Sequence, residues 1–263
     1  MEGQKPRILL VDDDELSRRM MGVLLSEKGY NYDTASNGIE AVESVQSQSY
    51  DMVLMDLQMP LMDGFDAARK IRDWEAGEKH TPIVALTAML FDNEIQRCLS
   101  AGMDDCIAKP FDTDTLFQLI ETHVSRSGTQ GATAYVESSE TPVNQEVLDI
   151  QEALPRFSNN IEVYKNFLKE FLDELPDKIG HLRRAFKSSD FKTLADAAHN
   201  LKGISASMGA KQLSYLSQKL DQNSQDGDSL LIQGSLEEIE KHLPVLQEEA
   251  KKILPGWRGN QET

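Results

Sequence analysis

The stretch DMVLMDLQMP, residues 51–60, decides the fold. Its apolar run from Met52 to Met55 has no helical period and is short enough for a strand buried on both faces. The Met59-Pro60 step ends that strand, because proline has no amide donor to offer a ladder. Asp56 therefore stands where a buried strand reaches the surface. A lone carboxylate there is costly unless a cation or hydrogen-bond donors meet it, so its partners must come from elsewhere in the chain.

Outward from this strand the pattern alternates. RILLV (residues 7–11) predicts a strand running into Asp12, Asp13 and Asp14, and residues 15–28 place Leu16, Met20, Val23 and Leu24 at helical spacing before Gly29. Strands follow at 30–35, 52–55, 82–86 and 106–108, with helices at 38–46, 64–74, 93–100 and 113–123. Strands alternating with helices predict an α/β fold, a doubly wound five-stranded parallel sheet, whose ligands bind beyond the carboxyl ends of the strands. In that arrangement Asp12 and Asp13 end the first strand, Asp56 the third, Thr87 the fourth and Lys109 the fifth, all on one rim. Carboxylates with water and a backbone carbonyl suit Mg2+. A Thr87 hydroxyl and a Lys109 ammonium, with that metal, would neutralise a phosphoryl group carried by Asp56.

The motifs ILLVDDD (residues 8–14), MDLQMPLMDG (55–64), ALTA (85–88) and AKPF (108–111) make residues 1–124 resemble a response-regulator receiver domain of the flavodoxin-like kind. The resemblance implies that Asp56 is the phosphate acceptor, Asp13 a direct metal ligand, Asp12 a ligand through water and the Gln58 carbonyl a third protein ligand. It further implies that Thr87 and Lys109 hold the phosphoryl oxygens and that the Lys109-Pro110 bond is cis. Cys106 departs from the pattern, taking the place where receivers often carry a Tyr or Phe that turns inward on activation.

Residues 125–145 are rich in Ser, Thr and Gly without an apolar period, which predicts a flexible linker. From 146 to 254 only helical patterns occur: a short segment at 147–154, then 163–186 with Pro176 as an expected kink, 191–208, 213–225 and 236–253. Ser189 or Asp190, and Ser235, are the candidate caps, and Asp226-Gly227-Asp228 the candidate turn. Four principal helices predict a four-helix bundle, followed by a tail at 255–263 that contains Trp257.

Within the third segment, Ala198, Leu201 and Ser205 share a core-facing stripe, which leaves His199, Lys202 and Gly203 together on the outer face. An exposed imidazole is a nucleophile for a phosphoryl group, a lysine one turn on can neutralise the incoming charge, and glycine leaves room for an approaching partner. AHNLKGISASMGA (residues 198–210) makes residues 146–254 resemble a histidine-containing phosphotransfer (HPt) domain. By that resemblance His199 carries the phosphate, and Asp221 or Gln218 on the next helix lies near its ring.

Bulk composition fits these readings. The net charge is -17, and residues 1–123 carry 23 acidic against 11 basic side chains, which argues against nucleic-acid binding and accommodates a bound cation. No apolar run approaches a membrane span and the first residues carry no signal-peptide core, so a cytoplasmic protein with no membrane insertion is expected. Cys98 and Cys106, the only cysteines, have neither metal-ligand nor redox-motif spacing and are expected to be reduced core thiols. His80, His123, His181 and His242 are expected in surface or core-edge roles.

The sequence shows no ATP-binding loop, so the expected activity is phosphorelay rather than kinase. A sensor histidine kinase would load Asp56, the group would exchange with His199, and a downstream response regulator or HPt protein would follow. Two variants stay open: phospho-Asp56 gating access to the bundle without transfer, and His199 loaded from outside with Asp56 as sink. A Mg2+-dependent phosphatase with an aspartyl nucleophile would need a second Asp two residues after the first, where this chain has Gln58.

Overall fold

In a computed structural model, which describes residues 5–88, 92–124 and 147–257, the chain divides into two compact units. The segment expected to be a linker, 125–145, lies outside the described residues.

The first unit is built on β1 (Arg7–Val11), β2 (Asn31–Ala35), β3 (Met52–Asp56), β4 (Ile83–Thr87) and β5 (Asp105–Ala108). All pairs are parallel, in the order β2-β1-β3-β4-β5. The order reverses at β1, so the chain leaves β1 and β3 in opposite directions and opens a crevice beyond their carboxyl ends. Alternate strand residues serve opposite faces, as the pleat requires. Ile8, Leu10, Met52, Leu54, Val84 and Leu86 pack with α1 (Glu15–Glu27) and α5 (Thr113–Val124). Leu9, Val11, Val53, Met55, Ile83 and Ala85 pack with α2 (Gly38–Ser47), α3 (Gly64–Glu75) and α4 (Asp92–Ser100). A sheet covered on both faces explains why β3 reads as unbroken apolar sequence rather than an alternating one.

Helix starts here are fixed by side chains that take up orphan amides. Asp14, Asn37 and Asp63 accept from the first turns of α1, α2 and α3. The Lys109-Pro110 bond is cis. Cys98 and Cys106 are free and buried, as expected for core thiols.

The second unit contains the short α6 (Ile150–Ala153), a 3-10 turn (Leu154–Phe157), α7 (Ile161–Lys187), α8 (Phe191–Ser207), α9 (Lys211–Asp226) and α10 (Ser229–Ile253). The connections between the four long helices are two or three residues, which makes successive helices antiparallel. Each packs on the next and α10 returns to α7, closing the bundle. Helix α7 carries Pro176 inside one continuous element. One detail differs from expectation. Helix α10 begins seven residues before 236: Asp228, not Ser235, caps it by accepting from the Leu230 and Leu231 amides, while Ser235 is buried inside the helix and accepts from Asn223 Nδ2 at 2.9 Å. The first turns of α10 escaped the periodicity reading because Leu230 and Leu231 are apolar yet exposed. Asp190 caps α8, and the Trp257 indole donates to Asp173 Oδ1 at 2.9 Å. Among the described residues no helix is long and apolar enough to cross a membrane.

Candidate functional site

The first site lies at the carboxyl ends of β1, β3, β4 and β5. Asp12 follows β1 directly, Asp56 and Thr87 are the last residues of β3 and β4, and Lys109 follows β5. The ladders pair Val11 with Met55, Asp56 with Leu86 and Thr87 with Ala108, so the sheet itself brings these residues side by side. The Lys109 amide donates to the Thr87 carbonyl at 2.6 Å, which ties the ends of β4 and β5 together. Gly64 closes the loop after β3: its amide donates to Leu57 O at 3.0 Å, and a Cβ there would run into the Asp56 carbonyl oxygen.

Asp12, Asp56 and Thr87 are buried, and the side chain of Lys109 is 19% exposed. Lys109 Nζ donates to Asp12 Oδ2 at 2.6 Å and to Asp56 Oδ2 at 2.8 Å, which supplies the cation that two buried carboxylates require. Burial pushes the Asp12 carboxyl up to about 7, with Lys109 opposing the shift and Asp56 adding to it. Burial also disfavours the Lys109 ammonium, but Asp12 and Asp56 outweigh it and hold the lysine above its ordinary value. The backbone around Asp12 is braced by contacts that the sequence did not disclose: Arg18 Nη1 donates to the Asp12 carbonyl at 2.5 Å, and the Asp14 amide to Asp12 Oδ1 at 2.9 Å.

One oxygen from each of Asp12, Asp13 and Asp56 lies within 4.8 Å of the others. Carboxylate oxygens at such spacing, with no thiol or imidazole among them, suit a small hard cation such as Mg2+. Gln58 is exposed and its backbone amide donates to Asp56 Oδ1 at 3.4 Å.

The second site sits on α8 and α9. Ala198, Leu201 and Ser205 are buried as the helical spacing requires, and His199, Lys202 and Gly203 share the outer side. The imidazole is more covered than the spacing on α8 suggests: its side chain is 16% exposed, because α9 packs beside it. His199 Nδ1 lies 3.1 Å from Asp221 Oδ2. A carboxylate accepts, so this bond assigns the proton to Nδ1 and leaves the Nε2 lone pair available. Gln225 Nε2 donates to Asp221 Oδ1 at 2.7 Å and holds the carboxylate in place. Of the two candidates on α9, Asp221 is therefore the one that meets the ring.

Lys202 is half-buried, and burial lowers its pKa against the opposing pull of Asp221. Asp196, one turn before His199, was missed by the sequence reading, although i, i+3 spacing on α8 could have found it; burial raises its carboxyl pKa. A Cβ placed on Gly203 would meet nothing within 4 Å. Of the other histidines, His80 pairs with Asp104 and His123 with Asp105, His181 is exposed and His242 half-buried.

Comparison with known proteins gives both sites a context. Residues 8–121 match the model of the response regulator receiver domain, and residues 166–251 match that of the Hpt domain. The chain is 28% identical to the signal transduction histidine-protein kinase BarA of Escherichia coli (strain K12) over 249 residues, 94% of its own length and 27% of the relative's. It is 31% identical to the sensor protein GacS of Pseudomonas syringae pv. syringae over 258 residues, 95% of its own length and 28% of the relative's. The chain thus spans little more than a quarter of these curated relatives. The receiver domain of a sensor histidine kinase from Pseudomonas aeruginosa PAO1, solved with magnesium ion coordinated in the active site cleft, is 36% identical over 47% of this chain and the whole of that one, with a TM-score of 0.44. This chain thus joins a response regulator receiver domain to an Hpt domain.

Proposed function

We propose that Asp56 accepts a phosphoryl group from the phosphohistidine of a sensor histidine kinase and exchanges it with His199, from which it passes to a downstream receiver. The observation that carries this reading is the Lys109 ammonium held against both Asp12 and Asp56 at the rim of the sheet. It places a fixed positive charge where negative charge gathers on a transferring phosphoryl group.

In the first step an Asp56 carboxylate oxygen attacks phosphorus in line, the phosphorus–nitrogen bond of the donor breaks, and the donor imidazole keeps the electron pair. Lys109 and the Thr87 hydroxyl hold the phosphoryl oxygens. Asp13, Asp56 and the Gln58 carbonyl, with Asp12 through water, would hold Mg2+, which when bound supplies further charge neutralisation at the phosphoryl oxygens. In the second step His199 Nε2 attacks, the acyl phosphate bond breaks and Asp56 regains its carboxylate. Asp221 keeps the proton on Nδ1, so no proton has to leave the attacking nitrogen. Lys202 neutralises the group on arrival.

The test is incubation of the full chain with radiolabelled acetyl phosphate and Mg2+. Label is expected on Asp56 first and on His199 later, none on an Asp56→Asn chain, and label confined to Asp56 in His199→Gln. Absence of label on Asp56 defeats the acceptor assignment. Label that reaches His199 neither within a chain nor between chains defeats the relay and favours gating without transfer.

A further inference from the structure

Asp13 supplies one of the three carboxylate oxygens that gather within 4.8 Å, yet its backbone belongs to neither strand nor helix, because β1 ends at Val11 and α1 begins at Glu15. A ligand on such a turn is only as well aimed as the two peptide planes that flank it. Both planes are gripped from outside Asp13. Asp12 is 1% exposed, so its carbonyl needs a donor, and Arg18 Nη1 meets it at 2.5 Å; this bond fixes the 12–13 peptide. The Asp14 amide, donating to Asp12 Oδ1 at 2.9 Å, fixes the 13–14 peptide. Neither grip uses the Asp13 carboxylate. The charge of Arg18 is answered close by, on α2. There the Glu40 carboxylate accepts from the Ser36 amide and hydroxyl at 2.8 Å and from Asn37 Nδ2 at 3.0 Å, and Arg18 adds to the pull that holds this carboxyl below its ordinary value. Beside Glu40, Arg18 acts on the turn as a hydrogen-bond donor more than as a bare cation.

We propose that Arg18 is a positioning residue for the divalent cation of the Asp56 site: by holding the 12–13 peptide it aims the Asp13 carboxylate at the point shared with Asp12 and Asp56. The inference rests on the metal placement in the reading above. Its sign separates it from simple electrostatics. A guanidinium near three carboxylates repels a divalent cation, so loss of its charge alone would tighten binding. Loss of the bond to the Asp12 carbonyl has the opposite effect, because the peptide can turn and one ligand is misplaced. Partners that orient metal ligands are worth about 10-fold or more in affinity, and Glu40 damps the Coulomb gain, so weakening wins.

The test measures binding of Mn2+, an ion with the same preference for oxygen ligands, to the full chain without a phosphodonor, from the electron paramagnetic resonance signal of the free ion. Site binding is the part lost in Asp13→Asn. Labelling of Asp56 by acetyl phosphate is then followed against Mg2+ concentration. Two neutral variants are compared: Arg18→Met, which has no donor, and Arg18→Gln, whose amide nitrogen falls two bonds short of Nη1. Both are expected to bind Mn2+ about tenfold more weakly and to need about tenfold more Mg2+ for half-maximal labelling, with a plateau within twofold of the parent. Unchanged or tighter Mn2+ binding in either variant overturns the proposal and leaves Arg18 as one more charge in the field of the site. A plateau that falls in step with affinity also overturns it, since general damage to the fold would do that. A parent chain that loses no Mn2+ on Asp13→Asn overturns the metal placement and this inference together.

Discussion

The rim of the sheet and the outer side of α8 place their polar groups by opposite means. Asp12, Asp56, Thr87 and Lys109 are separated by up to 97 positions in the chain, and only the parallel ladder brings them together. His199, Lys202 and Gly203 lie within five residues of one helix, and only Asp221 is borrowed from a neighbour. The first arrangement buries charge and must compensate it internally, whereas the second orients a partly covered imidazole through one carboxylate. On the reading proposed above, catalytic power belongs to the sheet, where fixed charge is concentrated, and the helix serves as carrier. Three substitutions test that division, in falling order of effect.

Lys109→Ala removes the ammonium that meets both buried carboxylates. Labelling of Asp56 by acetyl phosphate with Mg2+ is expected to fall about 100-fold, the scale on which a single stabilising donor is worth at such a site. The same chain should still accept label at His199 from a phosphorylated His199→Gln chain at close to the normal rate. If acceptance at His199 falls as far as labelling at Asp56, the two sites do not divide the work as argued.

Asp221→Asn probes the helical site at nearly constant shape. An amide can turn its oxygen to an Nδ1 proton or its NH2 group to a bare Nδ1, so the substitution no longer fixes the tautomer. Transfer to His199 is expected to slow about tenfold, as for loss of an orienting group in acid–base positioning. Asp56 labelling should be unaltered, and the 15N spectrum of the imidazole should show both tautomers in place of one. Unaltered transfer with an unaltered spectrum would reduce Asp221 to a packing residue.

The contrast also explains what could be read from the chain. The rim was legible because buried parallel strands are continuous apolar runs, and a polar residue that ends such a run has a position as soon as the strand order is known. Asp12, Asp56, Thr87 and Lys109 fall where that reading put them. On α8 the spacing revealed which residues share a side, but not how deeply His199 is covered, because the shielding comes from how α9 packs. Arg18 and Gln225 act through local contacts instead: Arg18 reaches back six residues to the Asp12 carbonyl, which no period announces, whereas Gln225 meets Asp221 one turn away on α9, a spacing the sequence reading could have used. The start of α10 was misread because Leu230 and Leu231 lack the one-sided burial on which a periodicity reading depends.

Gly203→Ala carries the smallest effect and separates stability from function. Glycine inside a helix costs about 1 kcal/mol relative to alanine, and nothing stands where the new Cβ would go, so the substitution should stabilise the helical unit by about that amount in urea unfolding. On structural grounds alone this position should be alanine. If the missing side chain instead serves an approaching partner, the stabilised variant should accept label at His199 several-fold more slowly, with labelling of Asp56 unchanged. Gain in stability and loss in transfer from one methyl group would show that the helix forgoes stability for access. A variant that is more stable and equally fast would leave the glycine without a role at the surface, and would remove the reason for treating the open side of α8 as a docking face.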